Sequence, residues 1–321
     1  MRSVLLTALL VTAMGTAVAA DTAFPTRPIR MIVGYPPGGS TDIAARLVGQ
    51  KLTPVFGQTV VIDNRAGASG TIAATIVASA EPDGHTLSFA ASPEAAIYRA
   101  LMKNPPYDSL TDFKPVTLVG RVPFMLVVHP SVSANTVKEL VALAKAKPGT
   151  INFASFGNGT SNHLVGEAFR AAAGIDIVHI PYKGSAPALA DLLGGQVQMT
   201  FDAVPVVLPQ VKAGKLKALA VATIKRSPLA PNVPTMDESG VAGFTGGTWF
   251  GVLAPARTPA FIVDRLSREI STVLRAPEVA QTFNDRGIEP VGNTPAEFRA
   301  FIESETKRWL KVAQGAGVKP E

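Results

Sequence analysis

The sequence of 321 residues contains no cysteine. A chain without thiols can form no disulfide bond, and it cannot carry the lipid that anchors a bacterial lipoprotein through its first cysteine. Its stability must therefore come from buried apolar groups. With 47% hydrophobic residues, a chain of this length can build sizeable cores, and the length favours two domains over one.

Long apolar runs are also missing beyond the N-terminus. The first 20 residues combine a basic start at Arg2, an apolar run at 4–11 and small residues at 17–20. This pattern predicts a cleavable signal peptide over residues 1–20 and export of the mature chain. A membrane anchor is the alternative, but the apolar run is shorter than the roughly 18 residues that span a bilayer. We expect a periplasmic protein of a two-membrane bacterium that is not a lipoprotein.

Charge is sparse and scattered. Only 17% of the residues are charged, and the net charge of +6 falls to +5 when the leader with Arg2 is removed. The basic residues form no arginine-rich stripe, which argues against nucleic acid as a partner. The four histidines lack the close spacing of metal ligands, and no Gly-Lys-Ser/Thr phosphate motif occurs. We expect neither a metal nor a cofactor.

Apolar strands alternate with amphipathic helices along the mature chain, which predicts an α/β fold with parallel sheet. One set of elements covers residues 21–122 and a second covers 123–248. The segment 249–321 ends in helices whose apolar stripes would pack back on the first set. The chain would thus cross twice between two lobes, forming a hinge with a ligand cleft at the interface.

Two glycine-rich loops each connect an apolar strand to a helix. The first lies in Met31–Asp42 (MIVGYPPGGSTD) and the second in Asn152–His163 (NFASFGNGTSNH). A helix start offers unpaired N–H groups and the positive end of the helix dipole, so such loops can bind an anion. Each loop could instead be a tight turn with an N-cap. Two such loops, one in each lobe, favour a small carboxylate held between the lobes.

The residue types of a hydrolase triad occur around the second loop. They are Ser155 or Ser161, His163 or His179, and Asp191 or Asp202. The Gly-x-Ser-x-Gly elbow of many hydrolases is absent, so we expect a binding protein and not an enzyme. Asp202 ends an apolar strand, where it would either meet the ligand or cap the next segment.

Ordered motifs run through nearly all of the mature chain. They are Pro37-Gly38-Gly39 with Asp42, Asn64-Arg65 with Gly67-Ala68 and Gly70, Pro82-Asp83-Gly84, Tyr107-Asp108 with Asp112-Phe113, Gly157-Asn158-Gly159 with His163, His179 with Pro181-Tyr182-Lys183-Gly184, Gly194-Gly195-Gln196-Val197, and Trp249-Phe250-Gly251. In these motifs the sequence resembles the substrate-binding proteins of tripartite tricarboxylate transporters, the Bug or TctC-like family.

This resemblance implies a two-lobed periplasmic binding protein of the type II, or Venus flytrap, form. Each lobe would be a mainly parallel sheet flanked by helices, with boundaries at 21–122, 123–248 and 249–321. The monomer would capture a di- or tricarboxylate or an aromatic acid and deliver it to a permease of one large and one small subunit. The alternative is a sensory binding protein that presents the bound acid to a membrane sensor kinase.

The expected ligand-binding residues combine the two loops with neighbouring segments. They are Tyr35, Gly38, Gly39, Ser40, Thr41, Ala68, Ser69, Gly70, Ser92, Phe156, Gly157, Asn158, Gly159, Thr160, Ser161, His163 and Asp202. Three positions depart from the residues that the resemblance leads us to expect. Tyr35 replaces the more common phenylalanine, Phe156 a small residue and Glu94 a small polar one, which favours an aromatic or longer acid.

Overall fold

The computed structural model describes residues 24–102, 104–315 and 317, so the expected signal peptide lies outside the described residues. Within them the chain forms ten strands and ten helices. In order these are β1 (Ile29–Val33), α1 (Ser40–Phe56), β2 (Val60–Asn64), α2 (Thr71–Ala78), β3 (Thr86–Ala91), α3 (Tyr98–Leu101), β4 (Phe113–Val128), α4 (Val137–Ala146), β5 (Asn152–Ser155), α5 (Ser161–Ala173), β6 (Val178–Pro181), α6 (Ser185–Leu193), β7 (Met199–Ala203), α7 (Val204–Lys212), β8 (Lys217–Val221), β9 (Gly247–Pro255), α8 (Ala260–Arg275), α9 (Pro277–Asp285), β10 (Glu289–Pro290) and α10 (Pro295–Gly315).

The long strand β4 joins two groups of strands. Its first part, 113–123, pairs with β9, which continues to β3, β1 and β2, and β10 also pairs with this part. Its second part, 124–128, pairs with β7 and β8, and β7 continues to β5 and β6. We call these groups the first and second sheet regions. The core follows them, because nearly every residue of β4 is buried.

The expected α/β class is confirmed, and the sheet is mixed. The outer strands β1, β2 and β3 are parallel, as are β5, β6 and β7. The pairs formed by β4 and β9 are antiparallel. This pairing was not predicted, because the sequence indicates a strand only over residues 124–128, whereas β4 begins eleven residues earlier, at Phe113. Pro115 and Pro123 lack the N–H of a strand residue, and the strand tolerates irregularities near Pro115 and Gly120.

The C-terminal helices pack largely as their apolar stripes predict. In α8, Ile262, Leu266 and Ile270 are buried, and the helix lies against α1 and β4. In α10, Trp309 is buried, and the helix contacts both β4 and α5, so it touches both sheet regions. Glu305 Oε2 accepts hydrogen bonds from the indole N–H groups of Trp249 and Trp309, at 3.0 and 3.1 Å. This carboxylate ties α10 to β9.

Several helical segments were not predicted. One is α7, where Pro209 inside the helix argues against it from sequence alone. Another is a short π-helix, Pro93–Ile97, that runs into α3. A π-helix has no distinct sequence signature, and such turns are frequent at functional sites. Among the described helices, none is long and apolar enough to cross a membrane.

Candidate functional site

The loop before α1 lies at the carboxyl end of the parallel strand β1, where ligands bind in α/β sheets. Gly38 has a φ of +86°, and its N–H donates to Asp42 Oδ2 at 2.9 Å. Asp42 is buried and also accepts from Asn64 Nδ2, at 2.9 Å, while it pairs with Arg46. Burial opposes ionisation of Asp42, but its hydrogen bonds lower the pKa of this carboxyl. The Gly38 N–H is therefore already bound, and Gly39, Ser40 and Thr41 begin the helix.

The segment Ala68–Gly70 has an unusual backbone. Ala68 and Ser69 have φ angles of 45° and 50°, and they are the only non-glycine residues with positive φ in the part of the chain described. Left-handed backbone of this kind is strained and clusters at ligand sites. The hydroxyl of Tyr35 reaches this segment, because its Oη lies 3.3 Å from the Ser69 carbonyl oxygen. We call Tyr35, residues 38–41, residues 68–70 and Ser92 the first wall.

The second glycine loop leads into α5 with glycine at its left-handed positions. Gly157 and Gly159 have φ angles of 126° and 71°. Thr160 is the N-cap residue of α5, and its Oγ1 donates to the Gly157 carbonyl oxygen at 2.6 Å. The N–H of Gly159 donates to His163 Nδ1 at 3.2 Å. We call residues 156–161 and His163 the second wall.

A stack of rings lies behind the second wall. The rings of His163 and His179 are 4.0 Å apart, and Phe153 stacks on the other face of His179 at 4.9 Å. Burial lowers the pKa of both histidines to about 4, and for His163 the neighbouring His179 adds to this effect. Both imidazoles are therefore neutral near pH 7. They can hydrogen-bond to a ligand or to the loop, but they bring no positive charge to it.

The residues of the possible triad are only partly brought together. Ser155 Oγ lies 2.5 Å from His179 Nε2. Asp191 instead accepts from Tyr182 Oη at 2.8 Å, and Asp202 accepts from Ser185 Oγ at 2.9 Å. Neither aspartate completes the Ser155–His179 pair. Likewise, no group of three or more possible metal ligands was found in the described part of the chain.

The two walls meet through serine side chains. Ser92, which is fully buried, has its Oγ 2.7 Å from Ser161 Oγ and 2.9 Å from Thr248 Oγ1. Ser69 Oγ donates to the Asn158 carbonyl oxygen at 3.4 Å. The loops of the two sheet regions therefore face each other across a narrow gap.

Asn162 is a polar residue of the second loop that the sequence offers as a side-chain donor but that the expected ligand-binding residues do not include. It is the second residue of α5, only 1% exposed, and its Oδ1 accepts from the Phe156 N–H at 3.2 Å and lies 2.8 Å from Thr160 Oγ1. The Phe156 N–H fixes the orientation of the amide, and its Nδ2 has no hydrogen-bond partner. A buried donor without a partner is expensive in a folded protein, so a ligand atom would satisfy it. The sequence signal for Asn162 was its polar side chain directly after the glycine loop.

Two buried carboxyl groups flank the walls. Burial raises the pKa of Glu94 and of Asp202 to about 7, although both accept backbone hydrogen bonds. Asp202 lies in β7 and accepts from Ser185, at the start of α6, and from the N–H of Ala203. Phe156 is half-buried and packs against the apolar cluster of the second sheet region, so much of its ring is not available to a ligand.

Comparison with known proteins identifies the family. Residues 44–318 match the model of the TctC family, described as tripartite tricarboxylate transporter family receptor. The chain belongs to this family. It is 42% identical to protein BugT of Bordetella pertussis over 303 residues, which are 94% of this chain and 93% of BugT.

Solved structures agree with this membership. R. palustris Rpa4515 with adipate superposes with a TM-score of 0.88 at 38% identity, covering 93% of this chain and all of that one. MatC from Rhodopseudomonas palustris with bound malate gives a TM-score of 0.82 at 32% identity, covering 90% and 99%. These findings confirm the resemblance, the α/β binding-protein fold and the expectation of a receptor that is not an enzyme.

Proposed function

We propose that this TctC family receptor captures a carboxylated small molecule between its first and second walls and delivers it to a two-subunit membrane permease. The observation that carries the proposal is the contact between the two walls, where Ser92 meets Ser161 at the start of α5 and Ser69 meets Asn158 in the loop before it. Helix starts favour anions, and a carboxylate has two oxygens that can face opposite walls.

The chemistry of the walls supports an anion without a metal. The first turns of α1 and α5 leave backbone N–H groups without intrahelical partners, and Asn162 Nδ2 adds a buried donor. The ligands named for two relatives, adipate and malate, are dicarboxylates. We extend that ligand class to this chain, with Tyr35, Ala68–Gly70 and the second wall as its contacts. Asp202 is a further proposed contact of the ligand, because it lies at the carboxyl end of β7.

The proposal includes closure of two lobes, residues 21–122 with 249–321 against residues 123–248. The chain passes between the sheet regions within β4, near Val122, and returns at Gly247. A methyl group on Gly247 would lie 2.5 Å from the Val122 carbonyl oxygen, so the two crossings touch and only glycine fits. Two adjacent crossings suit a hinge, since few residues then absorb the change in backbone angles.

The receptor acts, in this proposal, as a monomer in the periplasm after cleavage of residues 1–20. The family description supports a transport role, whereas no observation favours the sensory alternative. Uptake of a labelled acid into vesicles that contain a permease of one large and one small subunit should require this protein. Uptake at an unchanged rate without it would contradict the transport role.

The ligand class is tested with the purified mature chain. Thermal unfolding is measured with adipate, malate and aromatic acids, with neutral sugars as the comparison. A ligand at about 100 times its Kd adds roughly 2.7 kcal/mol to the free energy of unfolding, which a rise in Tm reports. A rise with sugars but with no carboxylate would overturn the proposal.

A further inference from the structure

Glu94 is a buried carboxyl group behind the first wall that the proposed ligand contacts do not use. It lies in the short π-helix after β3 and is 2% exposed. Its Oε1 accepts from the Ala91 N–H at 2.6 Å, and its Oε2 accepts from Tyr35 Oη at 2.8 Å. In the described part of the chain, no lysine, arginine or histidine forms an ion pair with it. Its negative charge, when present, is balanced by neutral donors only.

This carboxyl lies directly against the strained segment of the first wall. A methyl group on Gly70 would lie 2.6 Å from Glu94 Cδ and 2.7 Å from its Oε2. The hydroxyl of Tyr35 touches both Glu94 Oε2 and, at 3.3 Å, the Ser69 carbonyl oxygen. Glu94 therefore contacts Gly70 directly. It is connected to Ser69 through the hydroxyl of Tyr35.

Phenols are the titratable groups that interact with Glu94. Tyr35 comes from the loop after β1, and Tyr107 Oη donates to the Glu94 carbonyl oxygen at 2.7 Å. Tyr98, at the start of α3, interacts electrostatically with both. Burial, followed by the charge of Glu94, raises the pKa of Tyr35 and of Tyr107 well above the usual value. These two phenols stay neutral, so Glu94 is the group in this cluster that titrates near pH 7.

An ionised Glu94 and an anionic ligand at Ala68–Gly70 would repel each other, because the two charges would share a poorly solvated wall. We propose, on the basis of the proposed carboxylate function, that Glu94 is a positioning residue that accepts one proton when a carboxylate binds at Ala68–Gly70. Capture of the acid at neutral or alkaline pH is then linked to proton uptake.

Protonation of Glu94 changes the hydrogen bonds of the Tyr35 hydroxyl, which connects Glu94 to the first wall. Its single hydrogen cannot serve two acceptors fully, and the shorter contact shows that ionised Glu94 takes it. A protonated Glu94 donates its own hydrogen to Tyr35 Oη, which leaves the Tyr35 hydrogen for the Ser69 carbonyl oxygen. Protonation thus removes the repulsive charge and strengthens the hydrogen bond that fixes the backbone of Ser69.

The test is isothermal titration of the mature protein with adipate and with malate at pH 6.5 and 8.5. Each titration is done in two buffers of different ionisation enthalpy, which gives the number of protons taken up per ligand. For the wild-type protein we expect uptake approaching one proton at pH 8.5 and a Kd that is roughly twentyfold weaker than at pH 6.5. Asp202 has a similarly raised pKa and lies among the proposed contacts, so the same count in Asp202→Asn assigns the proton to Glu94 even if a Glu94 variant fails to fold.

Glu94→Gln is the informative variant, because an amide keeps an acceptor for Ala91 and a polar partner for Tyr35. It should take up about one proton fewer per ligand than the wild-type protein, and its Kd should change less between the two pH values. Asp202→Asn removes the other buried carboxyl and should leave the proton uptake of Glu94 in place, whatever its own effect on Kd.

Three outcomes would count against the inference. Binding to the wild-type protein without proton uptake, or an unchanged proton count in Glu94→Gln, overturns the role of Glu94 but leaves the proposed function standing. Absence of binding by both acids at both pH values, in both proteins, overturns the proposed function and the inference with it.

Discussion

The first and second walls each contain a helix start, but their backbones differ. In the first wall, Ala68 and Ser69 adopt left-handed backbone as non-glycine residues, whereas in the second wall the left-handed positions belong to Gly157 and Gly159. Side chains in that conformation store strain, while glycine adopts it readily. The second wall is therefore a relaxed loop, and the first wall depends on its neighbours, Tyr35 and Glu94, to hold its shape.

The walls also differ in their response to pH. Burial raises the pKa of Glu94, behind the first wall, to about 7, and lowers the pKa of His163, in the second wall, to about 4. Near neutral pH the buried carboxyls of Glu94 and Asp202 can change charge, and the buried imidazole of His163 cannot. This difference shows that burial acts in opposite directions on acids and bases.

The largest expected effect comes from closing the space in front of the second wall. A methyl group on Gly159 would lie 3.9 Å from Leu101 Cδ1 and 4.0 Å from Tyr98 Cε2, so a larger side chain would fill the gap between the walls. We expect Gly159→Val to weaken carboxylate binding at least about a thousandfold, or about 4 kcal/mol. Titration calorimetry measures this loss.

Gly214→Val is the matched control for this substitution. Gly214 has a φ of 70°, close to the 71° of Gly159, but a methyl group built on it meets nothing within 4 Å. Both variants therefore carry the same left-handed strain, and both should lose similar stability in urea. Equal ligand affinity in the two variants would show that the second wall does not contact the ligand.

The next effect is the pH dependence of stability, which separates the buried acids from the buried histidines. Native Glu94 keeps its proton to about pH 7, whereas the unfolded side chain loses it near 4.5. Glu94 thus contributes a free energy of unfolding that falls as pH rises from about 4.5 to 7. The buried His163 and His179 contribute in the opposite direction, because their pKa values are lowered to about 4 and their unfolded forms bind more protons up to about pH 6.5. The fall is roughly 3 kcal/mol for Glu94, and Asp202 adds a similar amount from its own lower reference value.

Urea unfolding at pH 5 and pH 8 measures this slope. Glu94→Gln and Asp202→Asn should each remove one falling contribution, so the free energy of unfolding at pH 8 relative to pH 5 should be higher than in the wild-type protein, while Glu81→Gln, at an exposed carboxyl, should leave this difference unchanged. No such increase in either variant would mean that the two buried carboxyls do not hold their protons. The contrast in pH response between the buried acids and the buried histidines would then be wrong.

The sequence predicted the α/β class and the two loop–helix junctions because glycine-rich loops and amphipathic stripes are local signals. It predicts a helix from about Thr41 to Leu52, which lies within α1, and Gly174 as the cap at the end of the helix that follows the second loop, which is α5. The length of β4 and the antiparallel pairing of β9 were not predictable in this way, since they depend on contacts between distant segments. Pro115 and Pro123 also argued against a strand in the β4 segment, because proline is rare within sheets.

The candidate site shows the same limit. The loops were visible in the sequence, but the partners of each donor were not. Nothing local indicates that the Gly38 N–H is bound by Asp42, or that Phe156 turns toward the apolar cluster of its own sheet region. Glu94 attracted attention only as an unusual residue, and its contact with Gly70 requires the folded π-helix.

The smallest predicted effect tests whether the helix start of the second wall binds an anion. Asn162→Asp keeps the shape of the side chain and replaces the unpaired Nδ2 with an oxygen. A negative charge in the first turn of a helix suits the helix dipole, so the fold should be retained. The same charge occupies the electrostatic place of the ligand, and we expect carboxylate affinity to fall about tenfold, or about 1.4 kcal/mol.

Ala296→Asp is the control: it places the same charge at the second residue of α10, in an exposed position, and should leave the affinity unchanged. An equal loss in both variants would point to the net charge of the protein, and the second wall would then have no special role in holding the acid.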